Sequence, residues 1–208
     1  MATSSKSAAN RKTGKHQVDE QRESILNAAQ ALFLQNGLEN TSMIDIASRA
    51  GITRVTLYRY FANRDAIALE IHVRMLNKIT SLVPQEEEDL SLEHQRHRAQ
   101  SMIRNFSALR DAFRYIGMFD KVYLDNPPET ALTKWTKNRL TSLTWSRSWL
   151  PNVVRENPQG NQIAMVMNNV TWFLEKLALR GELTWSDKDT PLEVHLKMFE
   201  DMIMGYFD

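Results

Sequence analysis

Eight consecutive residues, Arg54-Val55-Thr56-Leu57-Tyr58-Arg59-Tyr60-Phe61, carry the most distinctive chemistry of this 208-residue chain. Read as a helix, Leu57 and Phe61 stand at i and i+4 and share a buried face. The others form an unusual surface: two arginines, two tyrosines, a threonine and a valine. Such a mixture suits a groove of duplex DNA. An arginine can bond guanine through two N–H groups, and Val55 and the Thr56 methyl can touch a thymine methyl. Tyrosine hydroxyls can bond phosphates. Asn63 then caps a following helix, with Asp65 in its first turn. Arg64 beside it opposes the helix dipole. It makes sense if an anion docks there, gripped by free backbone N–H groups and the guanidinium together. The plainer reading is an exposed arginine with its tip in water.

Other chemistries lack their parts. There is no cysteine, hence no disulfide scaffold, thiolate metal site or thiol nucleophile. The seven glycines are never closer than Gly37 and Gly51, whereas phosphate-cradling loops and nucleophile elbows need two within a few residues. His94 and His97, beside Glu93, could form part of a metal site. Arg96 and Arg98 oppose a cation there, and an exposed polar helix face is the better reading. No metal, no cofactor and no catalytic residue is expected; the chain reads as not an enzyme. Mean hydropathy is −0.44 and no apolar run reaches the roughly 20 residues of a membrane span. The N-terminus is basic with no apolar stretch behind it, so no secretory signal and a cytoplasmic location are expected.

The elements that must position the octapeptide are helices. A first helix is expected over about 20–36, with Ile25, Ala29, Leu32 and Phe33 on one face and Gly37 past its end. A second opens at Thr41 or Ser42, where Ser42 and Asp45 resemble a capping box. Met43, Ile46, Ala47 and Ala50 line one side of it. Gly51 permits positive φ, Ile52 plugs the core and Thr53 can cap the next helix. Two short helices joined through a glycine turn match the helix-turn-helix pattern. Strand and hairpin signals are missing throughout, so the fold class is all-α.

Charge and proline divide the chain. Up to Lys78 there are 11 Lys+Arg against 7 Asp+Glu; the remainder of the 26 and 25 leaves 15 against 18. The excess gathers at Lys6, Arg11, Lys12 and Lys15, which suggests an anionic partner for one end or a solubilising tail. All six prolines lie at Pro84 or later. The expected organisation is a basic flexible arm over 1–18, a helix-turn-helix domain over 19–80 and a helical domain over 81–208, with a joint near Thr80 to Leu90.

Three stretches resemble the tetracycline-repressor (TetR) family: Ala28-Ala29-x-x-Leu32-Phe33-x-x-x-Gly37; Thr41-Ser42-x-x-x-Ile46-Ala47-x-x-Ala50-Gly51-Ile52-Thr53; and Thr56-Leu57-Tyr58-x-Tyr60-Phe61-x-Asn63-Arg64-Asp65. The resemblance implies about nine helices, with an N-terminal three-helix DNA-binding domain and a C-terminal ligand-binding and dimerisation domain. It implies a homodimer on a palindromic operator, acting as a repressor and released by a small molecule. Position by position, it implies that Arg54, Val55 and Thr56 read base edges and that Ser42 and Ile44 touch DNA from the second helix. Thr53, Tyr58, Tyr60 and Arg64 fall at phosphate-contacting positions. Val55 departs from the small residue or proline common there, and Arg64 replaces the common lysine.

The remaining helices are expected over about 91–109, 112–124, 128–156, 161–180 and 191–206, the last with Thr190 as cap and Pro191 at its first position. Met102, Phe106, Phe113, Met118, Phe119, Trp145 and Trp149 could line an apolar pocket for a hydrophobic or amphipathic ligand, or simply pack a core. The last two helices show wide apolar faces: Ile163, Met167, Val170, Leu174 and Leu177 on one, Leu192, Leu196, Phe199, Ile203 and Tyr206 on the other. They could pair with a second copy or be satisfied within one subunit. The expected partners are double-stranded DNA, a small-molecule effector and a second subunit, with no membrane. The alternative keeps DNA binding and gives the C-terminal domain only a dimerisation or protein-interaction role.

Overall fold

The capping and turn residues around Gly51 form the local structure their types demand. Ser42 is extended (φ −97°, ψ 163°) and its side chain accepts from the Asp45 N–H, while the Asp45 carboxylate accepts from the Ser42 N–H. Gly37 and Gly51 have φ of +88° and +66°, and no other described residue has positive φ. At both places the chain leaves a helix through the left-handed region, where a Cβ is strained.

The computed structural model describes residues 4–82, 92–123, 169–179 and 191–206. Every regular element among them is helical: α1 (Ser4–Asn36), α2 (Met43–Arg49), α3 (Arg54–Tyr60), α4 (Arg64–Leu82), α5 (Leu92–Arg104), α6 (Phe106–Tyr123), α7 (169–179) and α8 (Leu192–Met204). The expected helix over 128–156, with Trp145 and Trp149, lies outside the described residues, as do Ile163, Met167 and Thr190. By backbone contacts the chain divides into Met1–Ile71 and His72–Asp208. The division falls within α4, ahead of the joint read from charge and proline.

In the first unit α1 packs on α2 and α2 on α3. Ile25, Ala29 and Phe33 of α1, Ile46 and Ala47 of α2 and Leu57 of α3 are buried. Thr41, also buried, donates its hydroxyl to the Gly37 carbonyl at 2.9 Å. One expectation needs correction. Residues 4–18, read as a flexible arm, are helical and continuous with α1. No proline interrupts them, and Gly14 is the residue least suited to a helix in a run rich in alanine, lysine and arginine.

In the second unit α5, α6, α7 and α8 bury one apolar cluster. It includes Met102, Ile103, Phe106, Phe113, Leu174, Leu177, Phe199 and Ile203. The Phe173 and Phe199 rings stack at 3.8 Å. Glu200 of α8 is buried and accepts from Gln100 Nε2 and Arg104 Nε, both on α5 and both at 2.9 Å. The α5–α6 break falls at Asn105 rather than between 109 and 112. The Ser101 carbonyl there accepts both the Asn105 N–H at 3.0 Å and Asn105 Nδ2 at 2.9 Å. Helix α8 begins one residue later than expected. Pro191 is its N-cap and makes no side-chain capping bond.

Candidate nucleic-acid interface

Helix α3 has seven residues, too few to be stable alone. Its two ends and one side are therefore held by the rest of the unit. At the start, Thr53 Oγ1 accepts from the Thr56 N–H at 3.1 Å and lies 3.0 Å from Thr56 Oγ1. At the end, the Phe61 N–H donates to the Leu57 carbonyl at 3.0 Å and the chain becomes extended. Leu57 and Phe61 are buried at 0% and 3% exposure, as their i, i+4 spacing requires.

The opposite side is open. Val55 is 75% exposed, and Arg54, Tyr58 and Arg59 are also exposed. Thr56 and Tyr60 are half-buried. On α2, Ile44 is exposed, as is its cap Ser42.

Local bonds assign several side chains more closely. The Ser42 hydroxyl donates to Asp45 Oδ2 at 2.6 Å. That bond, with the Ser42 N–H, holds the Asp45 carboxyl below its ordinary pKa, so a fixed negative charge sits at the α2 N-terminus, where the dipole favours it. The Thr53 hydroxyl serves the start of α3. Arg64 is half-buried, neither bare nor free: Nη1 donates to the Glu39 carbonyl at 3.3 Å, and Nε lies 3.7 Å from Asp65 Oδ1. That aspartate offsets the misplaced cation at the head of α4. Asn63 Oδ1 caps α4 through the Ala66 N–H at 2.8 Å.

Sequence reading passed over two features. Arg49, Arg54, Arg59 and Arg64 recur every fifth residue, and no acidic residue occurs from Ile46 to Arg64. The composition alone could have shown this. The second feature is Arg22 of α1, whose guanidinium lies 4.3 Å from the centre of the Phe61 ring and pairs with Glu70 of α4. No local spacing signals a pair 48 residues apart.

The residues expected to line a pocket or to pack a core are placed as follows. Met102, Phe106 and Phe113 belong to the apolar cluster of the second unit, and Met118 is half-buried on α6. Phe119 is buried and stacks on His72 at 4.0 Å. His94, expected on an exposed face, is buried while His97 is exposed. Its side of α5 is covered, a fact the polar neighbours in sequence conceal. Among the described residues no group of three or more His, Asp or Glu could hold a metal ion, and no helix is long and apolar enough to cross a membrane.

The two faces expected to pair with a second copy or to be satisfied within one subunit are placed as follows. Val170, Leu174, Leu177, Phe199 and Ile203 are buried inside one subunit's cluster, and Leu192 and Leu196 pack against it. The exposed side of α8 carries Val194, Met198 and Met202 at successive i+4 positions, and Tyr206, expected on the other face, is exposed just beyond the helix end. Trp172 of α7 is also exposed.

Comparison with known proteins agrees with this geometry. Residues 25–71 match the sequence pattern described as "Bacterial regulatory proteins, tetR family". The chain is 28% identical over 125 residues to the HTH-type transcriptional activator FasR of Mycolicibacterium smegmatis, covering 60% of this chain and 57% of FasR. It is 41% identical over 61 residues to the HTH-type transcriptional regulator AcrR of Shigella flexneri, covering 29% of this chain and 28% of AcrR. The chain thus spans about half or less of these relatives' own lengths. Among solved structures, the TetR-family regulator PfmR of Thermus thermophilus superposes with a TM-score of 0.56 at 21% identity, covering 87% of this chain and 97% of PfmR. AibR, solved with isovaleryl coenzyme A and operator DNA, gives 0.60 at 16% identity, covering 88% and 97%. At these identities the likeness to PfmR and AibR is one of fold.

Proposed function

From the premise that the chain belongs to the tetR family of bacterial regulatory proteins, we propose that it is a transcriptional repressor that binds a palindromic operator as a homodimer and is released by a small hydrophobic or amphipathic ligand. It acts by binding, with no catalytic step. The observation that carries the reading is the polarity of α3. Leu57 and Phe61 anchor it from behind, while Arg54, Val55, Tyr58 and Arg59 stand in water in a stretch free of acidic residues. In this reading Arg54, Val55 and Thr56 meet base edges, and Ile44 adds an apolar contact from α2. Ser42, Thr53, Tyr58, Tyr60 and Arg64 lie along the phosphates. Ser42 gives both its hydroxyl proton and its N–H to Asp45, so a phosphate contact there requires that pair to open, whereas the Thr53 hydroxyl, which accepts from the Thr56 N–H, can turn its proton towards a phosphate oxygen.

The test starts from duplexes enriched by the protein out of a randomised pool. Arg54→Ala is expected to weaken binding to the enriched duplex by about 1–3 kcal/mol and to relax base preference at one position per half-site. Equal losses on enriched and scrambled duplexes would instead make Arg54 a phosphate contact.

The outward row Val194, Met198, Met202 and Tyr206 supports pairing of two copies through α8, because an apolar stripe of this length on a soluble helix marks an interaction. Two copies also satisfy the geometry of an operator with two half-sites one helical turn apart. A second reading, in which the C-terminal unit serves dimerisation or protein interaction alone, is favoured by the burial of Met102, Phe106 and Phe113 in the apolar cluster. Native mass spectrometry of purified protein separates the two readings. Twice the subunit mass with a retained or titratable small molecule is expected. A dimer that takes up nothing from a panel of acyl thioesters and aromatic amphiphiles would favour the second reading, and a monomer would remove the homodimer from both.

A further inference from the structure

One side chain of α1 holds the trailing end of α3. Arg22 is half-buried. Its Nε donates to Glu70 Oε1 at 3.1 Å, and Nη2 donates to Glu70 Oε2. Its Nη1 donates to the carbonyl of Tyr60, the last residue of α3, at 3.4 Å. The guanidinium covers the ring of Phe61, the C-cap of α3. A single planar cation thus joins α1, the end of α3 and α4.

Each contact has a physical reason. The Tyr60 carbonyl is one of the last four of its helix and has no intrahelical partner. It also sits at the negative end of the helix dipole, where a cation is favoured. The fork-to-fork pair with Glu70 fixes the guanidinium in one plane, which a lysine could not do. The opposite end of α3 carries Arg54, about 9 Å away at 1.5 Å rise per residue. A small tilt about the trailing end therefore displaces the side chains expected to meet bases.

We propose that Arg22 and Glu70 are positioning residues for DNA reading: they set the angle at which α3 is presented and so contribute to base discrimination without touching DNA. Arg22 spends three of its five N–H donors on Glu70 and Tyr60 and lays its face on Phe61, which ties the guanidinium to the end of α3 rather than to a phosphate. The inference rests on the reading of α3 as the DNA-reading helix.

The test uses the full chain, duplexes enriched by the wild-type protein, and scrambled duplexes of equal length and composition. If the wild type does not discriminate between them, the reading of α3 fails and the proposal falls with it. If it discriminates, Arg22→Lys, Arg22→Ala, Glu70→Gln and the Arg22→Ala/Glu70→Gln double variant follow, each assayed below its own unfolding temperature. The ratio of enriched to scrambled affinity is expected to fall about tenfold in Arg22→Ala and Glu70→Gln, the scale of one good base contact. The double variant should be no worse than either single one, because the pair acts as a unit. Arg22→Lys should recover part of the ratio. The slope of log affinity against log salt should stay unchanged in all four. A lowered unfolding temperature with an unaltered ratio would overturn the proposal in favour of a purely structural pair. Equal losses on both duplexes, with a salt slope shallower by about one, would overturn it in favour of a phosphate contact. Should Arg22→Ala fail to fold, Arg22→Lys and Glu70→Gln decide the question by the same ratio.

Discussion

Leu57→Ala is expected to destabilise the first unit by about 2–5 kcal/mol and to abolish DNA binding, although Leu57 meets no DNA in the proposed complex. The side chain is wholly buried. Removing it takes away transfer free energy and leaves a cavity that the surroundings fill only in part. Small domains are stable by only about 5–15 kcal/mol, and a unit ending at Ile71 sits near the bottom of that range. Helix α3 is also the element least able to absorb the loss, since seven residues hold together only through their anchors. Urea denaturation followed by circular dichroism checks this, with the two units allowed separate transitions. The contrast with Arg54→Ala is the informative part. Both variants bind the operator less well, but only Leu57→Ala should move the unfolding midpoint. An unmoved midpoint would mean that Leu57 is not the anchor of α3.

The second large effect is a loss of stability in mild acid, traced to His72. The ring is 3% exposed and stacks on Phe119, and Nδ1 has no hydrogen-bond partner among the described residues. Burial alone pushes its pKa from the ordinary 6.5 down to about 4. Well above pH 6.5 the imidazole is neutral in both folded and unfolded chains, and it adds no pH dependence. As the pH falls from 6.5 towards 4, the unfolded chain takes up a proton that the folded chain refuses. Stability then drops by up to about 1.4 kcal/mol per pH unit, roughly 3 kcal/mol over the interval. Below the folded-state pKa the loss levels off. Tyr115, on the same helix as Phe119, stays neutral throughout, because burial and the nearby Tyr123 hold it well above its ordinary 10. Carboxylates elsewhere also titrate in this window, so the measurement is a comparison. Urea midpoints of the wild type and His72→Phe, which keeps the aromatic stack, should diverge between about pH 7 and pH 4. Parallel curves would show that His72 is not buried as a neutral ring.

Much of the first unit was legible in advance because its signals are local. A serine three residues before an aspartate, glycines just past helix ends, and a leucine and phenylalanine four apart each act through neighbouring backbone. The Ser42–Asp45 box, the left-handed Gly37 and Gly51, and the buried Leu57 and Phe61 follow directly. The extension of α1 back to Ser4 was also within reach, since residues 4–18 contain no proline. Positive charge alone points to an arm there, whereas helix propensity points to the helix. The break at Asn105 carries no glycine or proline signal, and hydrophobic periodicity continues across it.

What the linear order of residues determined for this protein is the set of helices around the turn and the side of α3 that must be covered. Backbone sterics and i, i+4 spacing act over a few residues and need no partner to be read. What only the tertiary structure decided is who covers whom. Arg22 meets Glu70 and the end of α3, and His72 lies under Phe119. Helix α8 turns Phe199 and Ile203 inward while leaving Met198 and Met202 in water. Both sides of α8 are apolar enough to be buried. Which of them the chain covers depends on neighbours brought from as far away as α5, and that is a property of packing rather than of sequence period.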